Sequence, residues 1–253
     1  MIAELIQFLV ATALALILAY VIGTYSALLI QGQPRPFERT WSKAESVLFR
    51  LMGVDKNAPM TWKQYLAAMI LTNTLIFAFV YILLAVQGMN PDLAFNTASS
   101  FATNTNLQHY VGESLSILSQ LGLIAAMFIA PATAFSVCFA FLRAFHYTSH
   151  NVGNFYVDMT RVTLNILLPI AFVFGILLTG LGVPQTLSGT LTTGSIAGGP
   201  LTVNIGPAGA WESIKDFGNN GGGFFGANSA HPFENPTGIT NIIEIVLMLS
   251  GSL

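Results

Sequence analysis

Long apolar runs alternate with short polar links along this chain, and the lengths of the runs set the first expectation. No charged residue falls between Glu4 and Arg35, between Lys63 and Asp92, between Glu113 and Arg143, or from Val162 to Trp211. A helix needs about 20 mostly apolar residues to cross a hydrocarbon core, so each stretch can hold one crossing. The pattern predicts spanning helices near Leu5–Ile30, Gln64–Gln87, Ser114–Leu142 and Val162–Val183, with a fifth starting near Gly238 and running to Leu253. The first run has no positive n-region, only Glu4 ahead of it, and is too long for a signal-peptide core, so it is read as a retained helix.

Composition agrees with a membrane protein. Charged residues are 8% of the chain and hydrophobic residues 53%, with a mean hydropathy of +0.66; soluble domains carry roughly 25% charge. The formal net charge of −2, without a basic patch, gives no reason to expect a nucleic-acid partner. Cys138 is the only cysteine, which removes disulfide frameworks and thiolate metal sites, and its apolar run predicts a buried, inert thiol. The charges that exist are sorted by side. Arg35, Arg39, Lys43, Arg50, Lys56 and Lys63 lie between the first two helices, and Arg143 and Arg161 flank the link between the third and fourth. Five crossings put both links on one side, and positive-inside bias makes that side the cytoplasm, with the N-terminus outside. Asp92, Glu113, Glu212, Asp216 and Glu234 fall on the opposite side, with Lys215 as the lone basic exception.

The two links on that opposite side are unusual. One runs from Asn90 through Phe101-Ala102-Thr103-Asn104-Thr105-Asn106-Leu107-Gln108, the other from Gly209 through Phe217-Gly218-Asn219-Asn220-Gly221-Gly222-Gly223-Phe224. Each opens with a segment able to form a short helix. Laying Phe101 on Phe217 brings Asn104 onto Asn220, so the chain reads as a duplicated helix–loop–helix. Non-helical backbone at membrane depth is tolerated only when buried in protein or lining a watery cavity. Gly221 to Gly223 permit torsions that turn several carbonyls toward one axis, where they can replace the hydration shell of a cation. The C-terminal ends of the short helices would add partial negative charge. Thr103, Asn104, Thr105 and Asn106 supply further oxygens or brace the loop by hydrogen bonds. No carboxylate lies within Phe101–Gln108 or Phe217–Asn228, which favours a carbonyl filter over a ring of charges. Taken singly, each loop also fits an ordinary solvent loop; the duplication is what raises the alternative.

Other residues carry smaller expectations. His231 and Glu234, just after the second loop, are expected to brace it, with no transition-metal site. Pro131 and Pro169 can kink their helices. His146 and His150, beside Arg143, are placed at the cytoplasmic headgroups. Glu244 is placed near an interface, needing no buried partner. Gln185 to Pro207 reads as a flexible or β-like outer cover. There is no Ser/His/Asp set, P-loop or P-type phosphorylation motif, so the chain is not expected to hydrolyse ATP.

The run Asn219-Asn220-Gly221-Gly222-Gly223-Phe224-Phe225-Gly226-Ala227-Asn228-Ser229-Ala230-His231-Pro232-Phe233-Glu234-Asn235-Pro236-Thr237 resembles the second pore region of KdpA, the potassium-binding subunit family of bacterial Kdp potassium-transporting ATPases. Thr103 to Gln108 resembles the first pore region of that family, and Gly153–Arg161 with Leu167-Leu168-Pro169 also fits. The resemblance implies an all-α integral membrane fold of potassium-channel-like helix–pore loop–helix repeats, preceded by one extra N-terminal helix. It implies residues 1–62 as that helix and a cytoplasmic loop, 63–146 as the first repeat, and 147–253 as a cytoplasmic link and second repeat. Thr103, Asn104, Thr105, Asn106, Asn219, Asn220, Gly221, Gly222 and Gly223 would then form the ion filter, flanked by Gln108 and Gly218. Family members often carry Thr where this chain has Asn219. The implied ligand is potassium, with no organic cofactor. The implied partners are a P-type ATPase catalytic subunit, small accessory membrane subunits and the lipid bilayer of a bacterial inner membrane. Such a subunit selects potassium from outside and passes it to the ATPase. Family members hold four repeats, so the two found here are expected to be the N-terminal half of a longer chain. A passive cation channel or symporter subunit of the same architecture, and a scaffold with merely packing loops, are the alternatives.

Overall fold

The computed structural model of the protein describes residues 2–146, 151–196 and 198–253; His150 lies outside them. Four helices are long and apolar enough to cross a membrane. Helix α1 is Ile2–Gln31, α3 is Trp62–Val86 and α5 is Ile117–His146. The fourth is one continuous rod made of α6 (Phe155–Val162), a π-helical turn (Thr163–Leu167) and α7 (Leu168–Gly180). A shorter apolar helix, α9 (Gly238–Ser252), packs on α1. This is an all-α membrane architecture; the boundaries fall within four residues of the apolar runs, except that the fourth rod begins at Phe155, ahead of the expected Val162.

Local chemistry explains where the rods begin. Thr61 and Gln64 form a reciprocal capping box at α3, as Thr237 and Thr240 do at α9. Pro169 cannot donate a backbone N–H to the turn before it. The π-helical turn sits directly ahead of that proline and widens the helix where the regular ladder is interrupted. Pro131 is carried inside α5 and packs against the backbone of Gly218.

Three further elements lie between the rods. Short helices α4 (Pro91–Ala102) and α8 (Ala208–Phe217) stand where the sequence places pre-loop segments. Asn90 starts α4, its side-chain oxygen accepting from Asp92 N at 2.9 Å and Leu93 N at 3.4 Å, with Pro91 in the first turn. Strands β1 (Thr190–Gly194) and β2 (Pro200–Asn204) pair antiparallel, Leu191 opposite Val203, so the outer cover takes its β-like form. Gly206, at the base of that hairpin, abuts the Phe224 ring and Gln120 Oε1.

The first basic link is more ordered than the sequence suggested. It contains α2 (Glu38–Met52), an amphipathic helix whose buried face is Glu45 and Phe49. The two basic links meet at one end of the fold: Met60 N donates to Gly153 O at 2.6 Å and Val152 N to Met60 O at 3.1 Å. Arg143 adds two bonds to Asp158, at 2.6 and 2.8 Å. The principal core lies at the other end, around the short helices. Trp211, Phe101, Phe217 and Phe224 are fully buried there, and Trp211 meets both Phe101 and Phe224 edge-on. Cys138 is not in it. The expected buried thiol is exposed on the outer face of α5, because a helix apolar all round turns part of its apolar surface outward.

Candidate functional site

Helices α4 and α8 end in the same way. Thr103 N bonds Ser99 O and Thr105 N bonds Ser100 O at 2.9 Å; Gly218 N bonds Ile214 O and Asn220 N bonds Lys215 O, also at 2.9 Å. Between each pair of bonds sits an asparagine in the left-handed region, Asn104 at φ 59 and Asn219 at φ 51. This is a Schellman-type stop, which asparagine tolerates better than any β-branched residue. The stops fix the correspondence of the loops and correct the sequence alignment by one residue. Asn104 matches Asn219, Thr105 matches Asn220 and Asn106 matches Gly221, so Asn104 does not match Asn220. The shared phenylalanine misled because Phe101 packs on Trp211 whereas Phe217 stacks on Phe135. Asn219 also ties its loop to α9, donating from Nδ2 to Met248 O at 3.1 Å.

The structure brings the two loops together. Asn104 Nδ2 donates to Gly218 O at 3.0 Å, and Asn220 Nδ2 donates to Asn104 Oδ1 at 2.5 Å and to Met127 O at 3.3 Å. Gln108 clasps Gly223 through the peptide units on both its sides, donating to its carbonyl at 2.7 Å and accepting from its N–H at 2.9 Å. A Cβ on Gly222 would lie 3.1 Å from both Asn106 O and Gln108 Oε1. Gly221 and Gly222 hold φ of 82 and 72, so at these positions glycine is required by torsion, and at Gly222 by closeness too. Thr103 and Thr105 turn their hydroxyls to each other at 2.7 Å, and Thr103 also donates to Ser99 O. Most of these side chains therefore brace. Asn106 is different: it is buried and neither amide atom is hydrogen-bonded among the described residues.

Behind the second loop lies a charge network that the sequence reading missed. Glu212 Oε1 accepts from Phe224 N at 3.1 Å, while Oε2 takes Lys215 and the Ser229 hydroxyl. Lys215 reaches Asp216 at 3.2 Å. Glu234 accepts from Phe225 N at 2.6 Å and Ser229 N at 3.0 Å, so it does brace the chain after the loop. Burial and the Glu212 carboxylate push Glu234 up to about 7. His231 lies flat on Phe225, ring centroids 4.4 Å apart, and its Nδ1 accepts from Phe233 N. Glu244 needs correction. It is buried, not interfacial, and its carboxylate makes no hydrogen bond, the Ser229 hydroxyl being held by Glu212 and Lys215. Its oxygens, with those of Glu212 and Asp216, lie within 4.8 Å of one another. A cavity of about 330 Å³ beside them is lined by Asp216, Asn219, Gly221, Gly222, Ser229 and Glu244, among others. The available sequence signal was Glu212 three residues before Lys215, one helical turn apart.

Both loops thus stay free of carboxylates while one of them rests on a buried acidic and basic bed. Among the described residues, Asn106 Oδ1 and Asn220 Oδ1 are loop side-chain oxygens that are buried without a hydrogen bond. The sequence model of one family, described as the potassium-transporting ATPase A subunit (KdpA), matches residues 9–252 and so takes in both loops and the four long helices.

Proposed function

The chain belongs to the KdpA family, the A subunit of potassium-transporting ATPases, and on that premise we propose that its two loops form part of the potassium filter of the complex. The family is that of a potassium-transport subunit of a multi-pass membrane complex, with an ATPase subunit as partner. The finer reading is that Thr103 to Asn106 and Asn219 to Gly223 select extracytoplasmic potassium, with Gln108 and Gly218 flanking them, and deliver it to the ATPase. In this scheme the subunit performs no phosphoryl chemistry itself, and residues 63–146 and 147–253 are successive repeats. The basic links face the cytoplasm and the N-terminus lies outside.

One observation carries the reading. Two short helices end in the same stop and release two carbonyl-rich segments that lie side by side, joined by the Asn104–Asn220 and Gln108–Gly223 bonds. Selectivity by carbonyls depends on holding such oxygens in a fixed field, and side-chain amides that bridge the segments do that without adding net charge. The pre-loop helices contribute the negative ends of their dipoles, although part of that potential is taken up by the loops' own N–H groups. In the intact complex, Gly221→Asp is expected to lower the potassium affinity of ATP-driven uptake by about tenfold or more, or to erase discrimination against sodium. Unchanged affinity and selectivity would leave these loops as packing elements only. Potassium uptake without the ATPase partner would replace the pump subunit by a passive channel.

A further inference from the structure

Helix α2 joins the ends of two spanning helices, α1 at Gln31 and α3 at Trp62, and so lies at the level where those helices leave the membrane. Its residues fall into three stripes. Glu45 and Phe49, one turn apart, form the buried stripe. Glu45 fixes it, accepting from Arg35 at 2.5 Å, Asn165 Nδ2 at 3.0 Å and Arg161 at 3.4 Å. Arg39, Lys43 and Arg50 form the second stripe, exposed and without an ion pair among the described residues. Val47 and Leu51, also exposed, form the third with half-buried Ala44.

A helix with a protein-bound face needs no exposed apolar stripe unless something apolar meets it. A basic stripe beside an apolar one, at the end of spanning helices, matches a bilayer interface. The apolar side continues into a groove of about 450 Å³, lined by Phe37 and Trp41 at the start of α2, by Leu18, Ile22 and Tyr25 of α1, and by Pro169 beyond the π-helical turn. Arg35 is the one basic residue of this link withdrawn from the surface; Lys56 and Lys63 are exposed with the three on α2. We propose that α2 is a binding site for anionic phospholipid, with Arg39, Lys43 and Arg50 on headgroup phosphates and the Phe37–Trp41 groove taking an acyl chain. The charge of the stripe selects the lipid class: three cations against the single exposed acid of α2, Glu38, and without an ion pair among the described residues, call for anions, and the adjoining stripe and groove call for hydrocarbon.

The test uses the intact complex in vesicles of phosphatidylcholine alone or mixed with phosphatidylglycerol. Trp41 is the half-exposed indole beside the groove, so the part of the quenching by brominated lipid that is lost in a Trp41→Phe variant of the complex reports occupancy next to α2. Brominated phosphatidylglycerol is expected to quench at far lower mole fraction than brominated phosphatidylcholine. The preference approaches roughly 100-fold if each basic side chain contributes about 5-fold near an anionic surface. The Arg39→Gln/Lys43→Gln/Arg50→Gln variant should bring it to about unity, while Arg39→Lys/Arg50→Lys retains it. Equal quenching by both lipids in the parent protein would overturn the proposal. So would a preference that survives in the triple variant. Loss of assembly with the ATPase subunit in the triple variant, with the lipid preference intact, would assign the stripe to a protein partner instead.

Discussion

The two Asn- and Gly-rich loops leave their helices through the same backbone stop and are then held by different chemistry. The first is neutral. Thr103 bonds Thr105 and Ser99, Ser100 Oγ accepts from Leu107 N at 2.6 Å, and no charged group is involved. The second has almost no side chains of its own to spend, since Gly221 to Gly223 follow Asn220. It is held by its surroundings: by Gln108, by Glu234, by the bond from Asn219 to Met248 O of α9, and by the Glu212–Lys215–Asp216 group. A loop that carries side chains can brace itself, whereas one built for free torsion must borrow its rigidity. The contrast predicts that the second loop is sensitive to changes distant from it and the first is not.

Lys215→Met is the most damaging substitution. Removing one partner of a buried ionic group leaves the carboxylates of Glu212 and Asp216 uncompensated, at about 3–5 kcal/mol; the expected outcome is a large fall in the thermal midpoint or loss of assembled complex. No substitution of comparable effect exists in the first loop, which holds no charge. Gly223→Ala comes next. Its Cβ would sit 2.6 Å from Glu234 Oε1 and 2.8 Å from Asn228 N, costing about 1–3 kcal/mol by overpacking, measurable as lower stability together with weaker potassium dependence of ATP hydrolysis. Gln108→Leu sharpens the comparison from the other side. It keeps most of the volume but removes both bonds to Gly223, about 1–2 kcal/mol, and should alter potassium affinity through the second loop although the change is made beside the first.

The remaining effect is one of pH. With Glu234 raised to about 7 from an ordinary 4.5, the folded state binds its proton more tightly than the unfolded chain. The associated stability is full below about 4.5 and is lost as pH rises through 7. The thermal midpoint should therefore drift down between these values, and Glu234→Gln should flatten the drift. A drift unchanged in that variant would place the titration elsewhere.

Much of this molecule is legible without coordinates because the membrane enforces length. Apolar runs located α1, α3, α5 and α7, and the short helices α4 and α8 followed from their place between runs. What escaped did so for specific reasons. Helix α2 lay in a link weighed for its charge, not its period. Cys138 sits in a run apolar on every side, and such a run does not distinguish a protein-facing position from an outward one. Glu244 is a single acid in an apolar helix, where burial depends on what crosses it in space. The two loops were legible as a pair by their residue types and their place between helices, but their register was not: Phe-x-x-Asn is shared as letters, while the hydrogen bonds that end the helices decide equivalence.

That equivalence gives the Gln108 clasp a direction. Once the loops are laid on each other by their helix stops, the residue matching Gln108 is Gly223, the residue it holds. Asn104 likewise donates across to Gly218 O, and Asn220 donates back to Asn104 Oδ1, whereas Asn219, the counterpart of Asn104, turns away to Met248. The grip at Gly223 is one-sided, since the side chain that makes it belongs to the first loop. A chain in which the two loops exchanged places would keep all their residues and still lose that grip, because glycine has no side chain with which to return it. The order of the loops along the chain is thus itself part of the site.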